Sequence, residues 1–94
     1  MPRLKWLSEA LVDLERLHHF LGKVSPEAAR RAAAAVLDGA DRLEKHPQIG
    51  KSFEDGRREW FIAFGVGAYV LCYRIDSDGD PVVIRVWHSR EDRE

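Results

Sequence analysis

Arg57, Arg58, Arg74, Arg85, His88 and Arg90 all fall on the last three strand-like segments or at their ends, and together they could hold or process an anion. Guanidinium groups fork onto phosphates and carboxylates, and histidine is the side chain that titrates nearest neutral pH. In a nuclease, such arginines would stabilise charge building on a phosphoryl group while His88 moved a proton. The same residues could equally be solvated strand ends and internal ion pairs with Glu59, Asp76 and Glu91.

Other chemical patterns fail on spacing. His18 and His19 are adjacent, so on a helix they diverge by about 100°, and no third ligand stands at metal spacing. Asp76-Ser77-Asp78-Gly79-Asp80 begins like a calcium loop. Its glycine is fourth instead of sixth, and Trp87 falls where a bidentate Glu is required, so the segment reads as a hairpin turn. Gly65-Val66-Gly67 is followed by no helix whose amides could hold phosphate. Cys72 lies in an apolar run with no base nearby in sequence. Neither a metal nor a cofactor is expected.

Composition narrows the classes further. Fifteen Lys and Arg against sixteen Asp and Glu give a net charge of −1 over 94 residues, unlike the strongly basic balance of a dedicated nucleic-acid binder. No apolar run approaches the ~18 residues of a membrane span. The start lacks a signal peptide's apolar stretch, because Ser8 and Glu9 interrupt it. One cysteine makes no internal disulfide, which points to the cytoplasm. The length predicts one domain over 1–94.

The elements that must position these residues follow from periodicity. Residues 3–7 alternate as a short strand. Ser8 is placed to cap a helix whose apolar stripe is Leu7, Leu11, Leu14, His18 and Leu21, stopping at Gly22. Ser25-Pro26-Glu27 starts a second helix, with Ala29, Ala32, Ala33, Val36, Ala40 and Leu43 on its stripe, Gly39 inside it, and Pro47 beyond its end. The connection of about three residues makes the pair an antiparallel hairpin. Residues 46–57 read as a loop.

Strands follow at 58–64, 68–75 and 81–88. Their predicted inner residues are Trp60, Ile62 and Phe64; Tyr69, Leu71, Tyr73 and Ile75; and Val82, Ile84, Val86 and His88. Short glycine-bearing turns make them a three-stranded antiparallel meander. The predicted fold is α+β in two layers: an N-terminal strand, a helical hairpin, then the meander. The opposite sheet face is apolar too, with Phe61, Ala63, Val70, Cys72, Val83 and Trp87 beside Arg74 and Arg85. One hairpin covers one face only, so the other is expected to meet a partner or be covered by the chain itself.

Trp6, Leu7, Ser8, Ala10, Asp13 and Leu14 at the start, Leu43, Pro47 and Gly50 after the second helix, Gly56 and Arg58, then Tyr69 with Tyr73-Arg74-Ile75, and the ending from Val83 through His88 and Arg90 to Asp92 together resemble the RelE/ParE toxin superfamily. Its members are the toxic halves of bacterial type II toxin–antitoxin modules, including plasmid stabilisation systems.

The resemblance implies one of two activities. The RelE-like branch cuts mRNA on the ribosome with basic residues and a C-terminal Tyr or His, which would give His88, Arg58 and Arg90 the catalytic roles. The ParE-like branch is associated with inhibition of DNA gyrase. Nucleases of the superfamily typically carry an arginine three residues before the tyrosine that aligns with Tyr73, where this chain has Val70. The loop offers Lys51 but then Glu54 and Asp55. The ending from Arg85 to Asp92 looks ParE-like, so the resemblance favours a gyrase-directed toxin over an endoribonuclease. An inactive member that only binds antitoxin is the third reading. A cognate antitoxin is implied, covering Leu11, Leu14, Leu17 and Leu21 or the outer sheet face at Trp87, in a complex that could be of higher order.

Overall fold

The computed structural model describes residues 2–91. Two helices, α1 (Ser8–Val24) and α2 (Pro26–Lys45), pack on one face of a five-stranded sheet. Its strands are β1 (Lys5–Trp6), β2 (Lys51–Ser52), β3 (Arg58–Phe64), β4 (Gly67–Ile75) and β5 (Pro81–His88), in the spatial order β1-β5-β4-β3-β2. The β3-β4-β5 meander is antiparallel as expected, and β1 runs parallel to β5. The α+β plan therefore holds. Two details differ: the first strand is shorter than residues 3–7, and the loop over 46–57 contains β2, which pairs with the start of β3.

The second helix starts as its sequence dictates. Ser25 Oγ accepts from the Ala28 amide at 3.1 Å, with Pro26 and Glu27 in the first turn. The first helix departs from expectation at both ends. Leu7 occupies the cap position with no side-chain bond, and Ser8 is already helical. At the other end α1 runs past Gly22 to Val24, and Ser25 both closes it and caps α2. A Cβ on Gly22 would lie 3.9 Å from that of Ala29, so this glycine sits where the two helices approach and does not end the first.

The buried side of α1 is also rotated from the expected stripe. Ala10 and Asp13 are buried and Leu14, Leu17 and Leu21 pack on the core, whereas Leu7, Leu11 and His18 are exposed. On α2, Gly39 is buried in place of Ala33. A Cβ at Gly39 would fall 2.4 Å from Ile62 Cδ1, and its carbonyl accepts from Trp60 Nε1 at 3.1 Å. The glycine lets β3 approach the helix.

The expected alternation on β5 fails at one point. Cys72 pairs with Arg85 but Tyr73 pairs with Val83, so Ile84 is an extra residue in a β-bulge. Val83 and Val86 consequently both enter the core, while Val82 and Ile84, expected there, are only partly buried.

Beyond the bulge, β5 has no strand on its outer side, because β1 covers only Val82 and Val83. Asp13 takes the missing strand's place. Its Oδ2 accepts from the Val86 amide at 2.9 Å and from Arg85 Nε at 2.7 Å, and its Oδ1 accepts from Arg85 Nη2 at 3.1 Å. Burial alone would push this carboxyl's pKa up. The bonds from Arg85 and the Val86 amide, with the charges of Arg85 and Arg16, outweigh burial and hold it below the usual range.

A second buried tie fixes the segment after α2. Tyr73 Oη donates to Pro47 O at 2.6 Å and accepts from the Gly50 amide at 2.8 Å. Arg58 Nη1 donates to Gln48 O at 3.1 Å and Gly50 O at 2.9 Å. A Cβ on Gly50 would sit 2.6 Å from Tyr73 Oη and 2.9 Å from Glu59 O, so glycine is required for this closeness.

Asp13→Ala should lower unfolding free energy by about 2–3 kcal/mol in a urea titration, since it strands a buried amide and a guanidinium. Asp13→Asn, which keeps an acceptor, should cost about 1 kcal/mol. Because the folded pKa lies below the unfolded value of about 4, the Asp13 contribution is complete above that value and is lost as pH falls through the folded pKa. The Asn variant should lack that part of the acid slope. Tyr73→Phe, which leaves Pro47 O and the Gly50 amide without the phenol, should cost about 1–3 kcal/mol by the same assay.

Candidate functional site

The open sheet face carries a concavity of about 370 Å³ lined by Arg16, Arg57, Cys72, Arg74, Arg85, Trp87 and Glu91 among others. Cross-strand pairing brings these residues together: Cys72 faces Arg85, and Val70 faces Trp87 on one side and Phe61 on the other. Three of the six expected anion-binding residues, Arg57, Arg74 and Arg85, converge here, and α1 adds Arg16.

Each guanidinium in this concavity already has an internal acceptor. Arg57 Nε donates to Asp55 Oδ2 at 2.7 Å, and its guanidinium lies 5.5 Å from the centre of the Phe53 ring. Arg74 Nη1 donates to Asp55 O at 3.0 Å. Arg85 holds Asp13, and Arg16 donates to Glu91 while standing 3.7 Å from Asp13. The Asp55 carboxyl is held below its usual range by the Arg57 amide first; burial opposes this and the Arg57 guanidinium adds to it. Burial pushes the Cys72 thiol up, so thiolate chemistry is disfavoured.

His88 and Arg90 line a different place, a groove of about 580 Å³ with walls of Leu17, Phe20, Leu21, Phe64 and Tyr69 and a rim that includes Arg16 and Glu91. The His88 ring stands edge-on to Tyr69, centroids 5.1 Å apart, and its Nδ1 accepts from the Arg90 amide at 3.2 Å. Along the helices the groove continues into a hollow of about 340 Å³ that shares Leu17 and Tyr69 and adds Leu14, His18, Ala32, Val36 and Leu37.

Arg58 belongs to neither place. It pairs with Tyr73 in the sheet, whereas His88 pairs with Tyr69, four residues away along β4, or about 13 Å of strand. Its guanidinium is committed to the Gln48 and Gly50 carbonyls. His88, Arg58 and Arg90 therefore do not converge. Of the residues expected to meet an antitoxin, Leu14, Leu17 and Leu21 line the helical grooves, Leu11 is 51% exposed, and Trp87 is on the open face with the arginines. Asp92, the end of the sequence pattern, lies outside the described residues.

Two contributors escaped the sequence reading. Arg16 lies three positions after Asp13, a spacing that puts both on one helix face, and Phe20 is a large aromatic left 68% exposed on α1. Asp76, Asp78 and Asp80 offer carboxylate oxygens within 4.8 Å of one another. Lys5 Nζ already sits 2.8 Å from Asp76 and 3.2 Å from Asp80, and Asp76 Oδ1 accepts from the amides of Asp78 and Asp80. The segment is built as a turn. No helix among the described residues is long and apolar enough to cross a membrane.

Comparison with known proteins adds to this geometry. Residues 4–93 match the family model for the ParE toxin of the type II toxin–antitoxin system parDE. Toxin RelE3 of Caulobacter vibrioides is 37% identical over 81 residues, covering 86% of this chain and 87% of that protein. Toxin RelE2 of the same organism is 32% identical, covering 95% and 97%. A solved structure titled as the chromosomal ParDE system from P. aeruginosa superposes with a TM-score of 0.70 at 21% identity, covering 92% of this chain and 94% of its own, a likeness of fold. A helical hairpin on a bulged meander, matched along nearly its whole length by these relatives, thus belongs to the ParE toxin family: the chain is a RelE/ParE-type toxin of a type II toxin–antitoxin system, whose partner is a cognate antitoxin.

Proposed function

We propose that this toxin acts in the cytoplasm by binding DNA gyrase, and not by cutting RNA. The observation that carries this reading is the commitment of the arginines. Arg16, Arg57, Arg74 and Arg85 are each matched to an internal acceptor on the open face, and Arg58 is built into the loop after α2. Phosphoryl chemistry needs cations aimed at developing charge, whereas here Arg16, Arg57 and Arg85 face carboxylates and Arg58 and Arg74 are turned to backbone carbonyls. Val70, buried between Phe61 and Trp87, supplies no cation where superfamily nucleases typically carry arginine.

The antitoxin, in this reading, covers the grooves along Leu14, Leu17 and Leu21 and the apolar surface at Trp87, and the complex could assemble further. An amphipathic helix suits such grooves, with anchors at helical spacing. A second reading, ribosome-dependent mRNA cleavage, draws on the RelE names of the relatives and on His88 and Arg90 sharing one groove.

Inducible expression with plasmid supercoiling and mRNA integrity read in parallel separates the two. Altered supercoiling with intact mRNA is expected; cleaved ribosome-associated mRNA would overturn the gyrase assignment, and no growth effect would favour an inactive antitoxin-binding member. His88→Ala should shift the toxic dose by less than about tenfold, whereas loss of a proton-transfer group typically costs ~10²–10⁴-fold.

A further inference from the structure

The far end of the sheet, at β3, is left open over most of its length. β2 pairs only with Arg58 and Glu59, so among the described residues no strand lies beside Trp60 to Phe64 on the outer side. The ladder with β4 fixes which groups that edge offers. Gly65, at φ +63°, and Val66 form a two-residue turn, with Phe64 facing Gly67. Ala68, opposite Ala63, spends its backbone groups on β5: its carbonyl accepts from the Ser89 amide at 2.7 Å, and its amide donates to Ser89 Oγ at 2.9 Å. Alternation then turns the amide and carbonyl of Ala63 away from β4, and likewise those of Phe61 two residues earlier. Glu59, two residues earlier again, meets Lys51 of β2 on that same side.

Edge strands are normally guarded by charge, proline or a bulge. This edge has none of them: residues 60 to 73 carry no charge, and β3 pairs with β4 without a break from Arg58 to Phe64. Phe61 is half-exposed and Ala63 exposed on the open face, while Ile62 is buried on the helix side with Trp60 and Phe64 packed partly beside it. Trp60-Phe61-Ile62-Ala63-Phe64 also has nearly the same character read in either direction. An aromatic stands at each end and Ile62 at the centre, with one large and one small residue between.

We propose that this β3 edge pairs, antiparallel, with the same edge of a second copy of the chain, about a two-fold axis at Ile62. Phe61 then faces Ala63 of the second copy, and each such pair exchanges an amide-to-carbonyl bond in both directions. The two-fold makes the contact isologous, so the pair occurs twice. A large side chain lies against a small one on the open face, and Trp60 lies beside Phe64 of the second copy on the helix side. The segment is thus its own complement, and no like charges are opposed along it. Only about five residues a side pair in this way, fewer than a permanent interface uses, so the dimer is a dissociable one. It forms at the opposite end of the sheet from β1 and leaves the Asp13 bonds untouched. The inference is independent of whether gyrase or RNA is the target.

Sedimentation equilibrium of the full chain, with amide exchange of Phe61 and Ala63 read at the same concentrations, tests this. Dimer should appear between about 10 µM and 1 mM, as suits a small interface. Exchange at both amides should slow over that span, while the turn residue Val66 keeps its rate. A63P removes an outward amide and sets its ring in the path of the second strand without touching the β4 ladder. It should stay monomeric with unchanged circular dichroism. F61K changes only an exposed side chain and brings like charges together across the axis, so it should weaken association by about tenfold or more. In a mixture of isotope-labelled and unlabelled chains, filtered NOEs should join Phe61 to Ala63 and Trp60 to Phe64 between copies. The proposal is overturned if the chain stays monomeric across that range, or if F61K associates as well as the unaltered protein. NOEs that place any other surface between the copies would overturn it too.

Discussion

The arrangement of this molecule depends on one carboxylate. Asp13 accepts the Val86 amide and both donors of Arg85, and so it joins α1 to β5 at the point where β5 loses its neighbouring strand. The bulge at Ile84 lets Val83 and Val86 both enter the core. Because β1 covers only Val82 and Val83, the outward-facing Val86 amide has no strand partner and must be satisfied if it is to be buried. An aspartate from the packed helix does this without another strand. Because α1 is held there, its leucines sit over Tyr69 and its Arg16 reaches the end of β5. Both the apolar groove and the arginine-lined concavity take their shape from that placement.

Charge in this protein is balanced locally as well as in total. The near-zero net charge could have concealed a strongly basic surface opposite an acidic one. Instead Arg57 and Arg85 of the meander meet the carboxylates of Asp55 and Asp13, Arg74 donates to the Asp55 carbonyl, and Arg16 of α1 meets Glu91. The exposed pairs among these, unlike the buried Asp13 carboxylate, add little to stability, but they reduce the positive charge available to attract phosphate. What remains unsatisfied on the surface is apolar: Phe20, Leu37 and Leu11 on the helices and Phe61 on the open face. A toxin with such a surface is suited to recognition by protein partners.

Much of the fold was legible because local signals agreed. Ser25-Pro26-Glu27 marks the start of α2, and alternation with glycine turns placed β3 to β5 within a residue of their ends. The errors came where tertiary contacts decide between equal local options. Leu7, Leu11 and Leu14 keep helical spacing as well as Ala10, Leu14 and Leu17 do, and it is the tertiary contacts, the bonds of Asp13 with the packing of Leu14, Leu17 and Leu21, that select the second stripe. Gly22 reads as a stop until Ala29 is placed beside it, and Ile84 reads as inward until the bulge is known. The same limit applies to the site. Arginine positions can be listed from sequence, but Arg58 turning to the loop carbonyls depends on Tyr73 drawing Pro47 and Gly50 against the sheet.

If Asp13 closes the sheet, the Val86 amide is a buried donor held from a helix, despite lying on an outer strand edge. Native-state hydrogen exchange measures this directly. Val86 should exchange only with global unfolding, as slowly as Leu71 in the middle of the sheet. Exchange of Val86 at a rate near that of the exposed turn residue Val66 would contradict it, and would show that the helix and strand are held together by some other means.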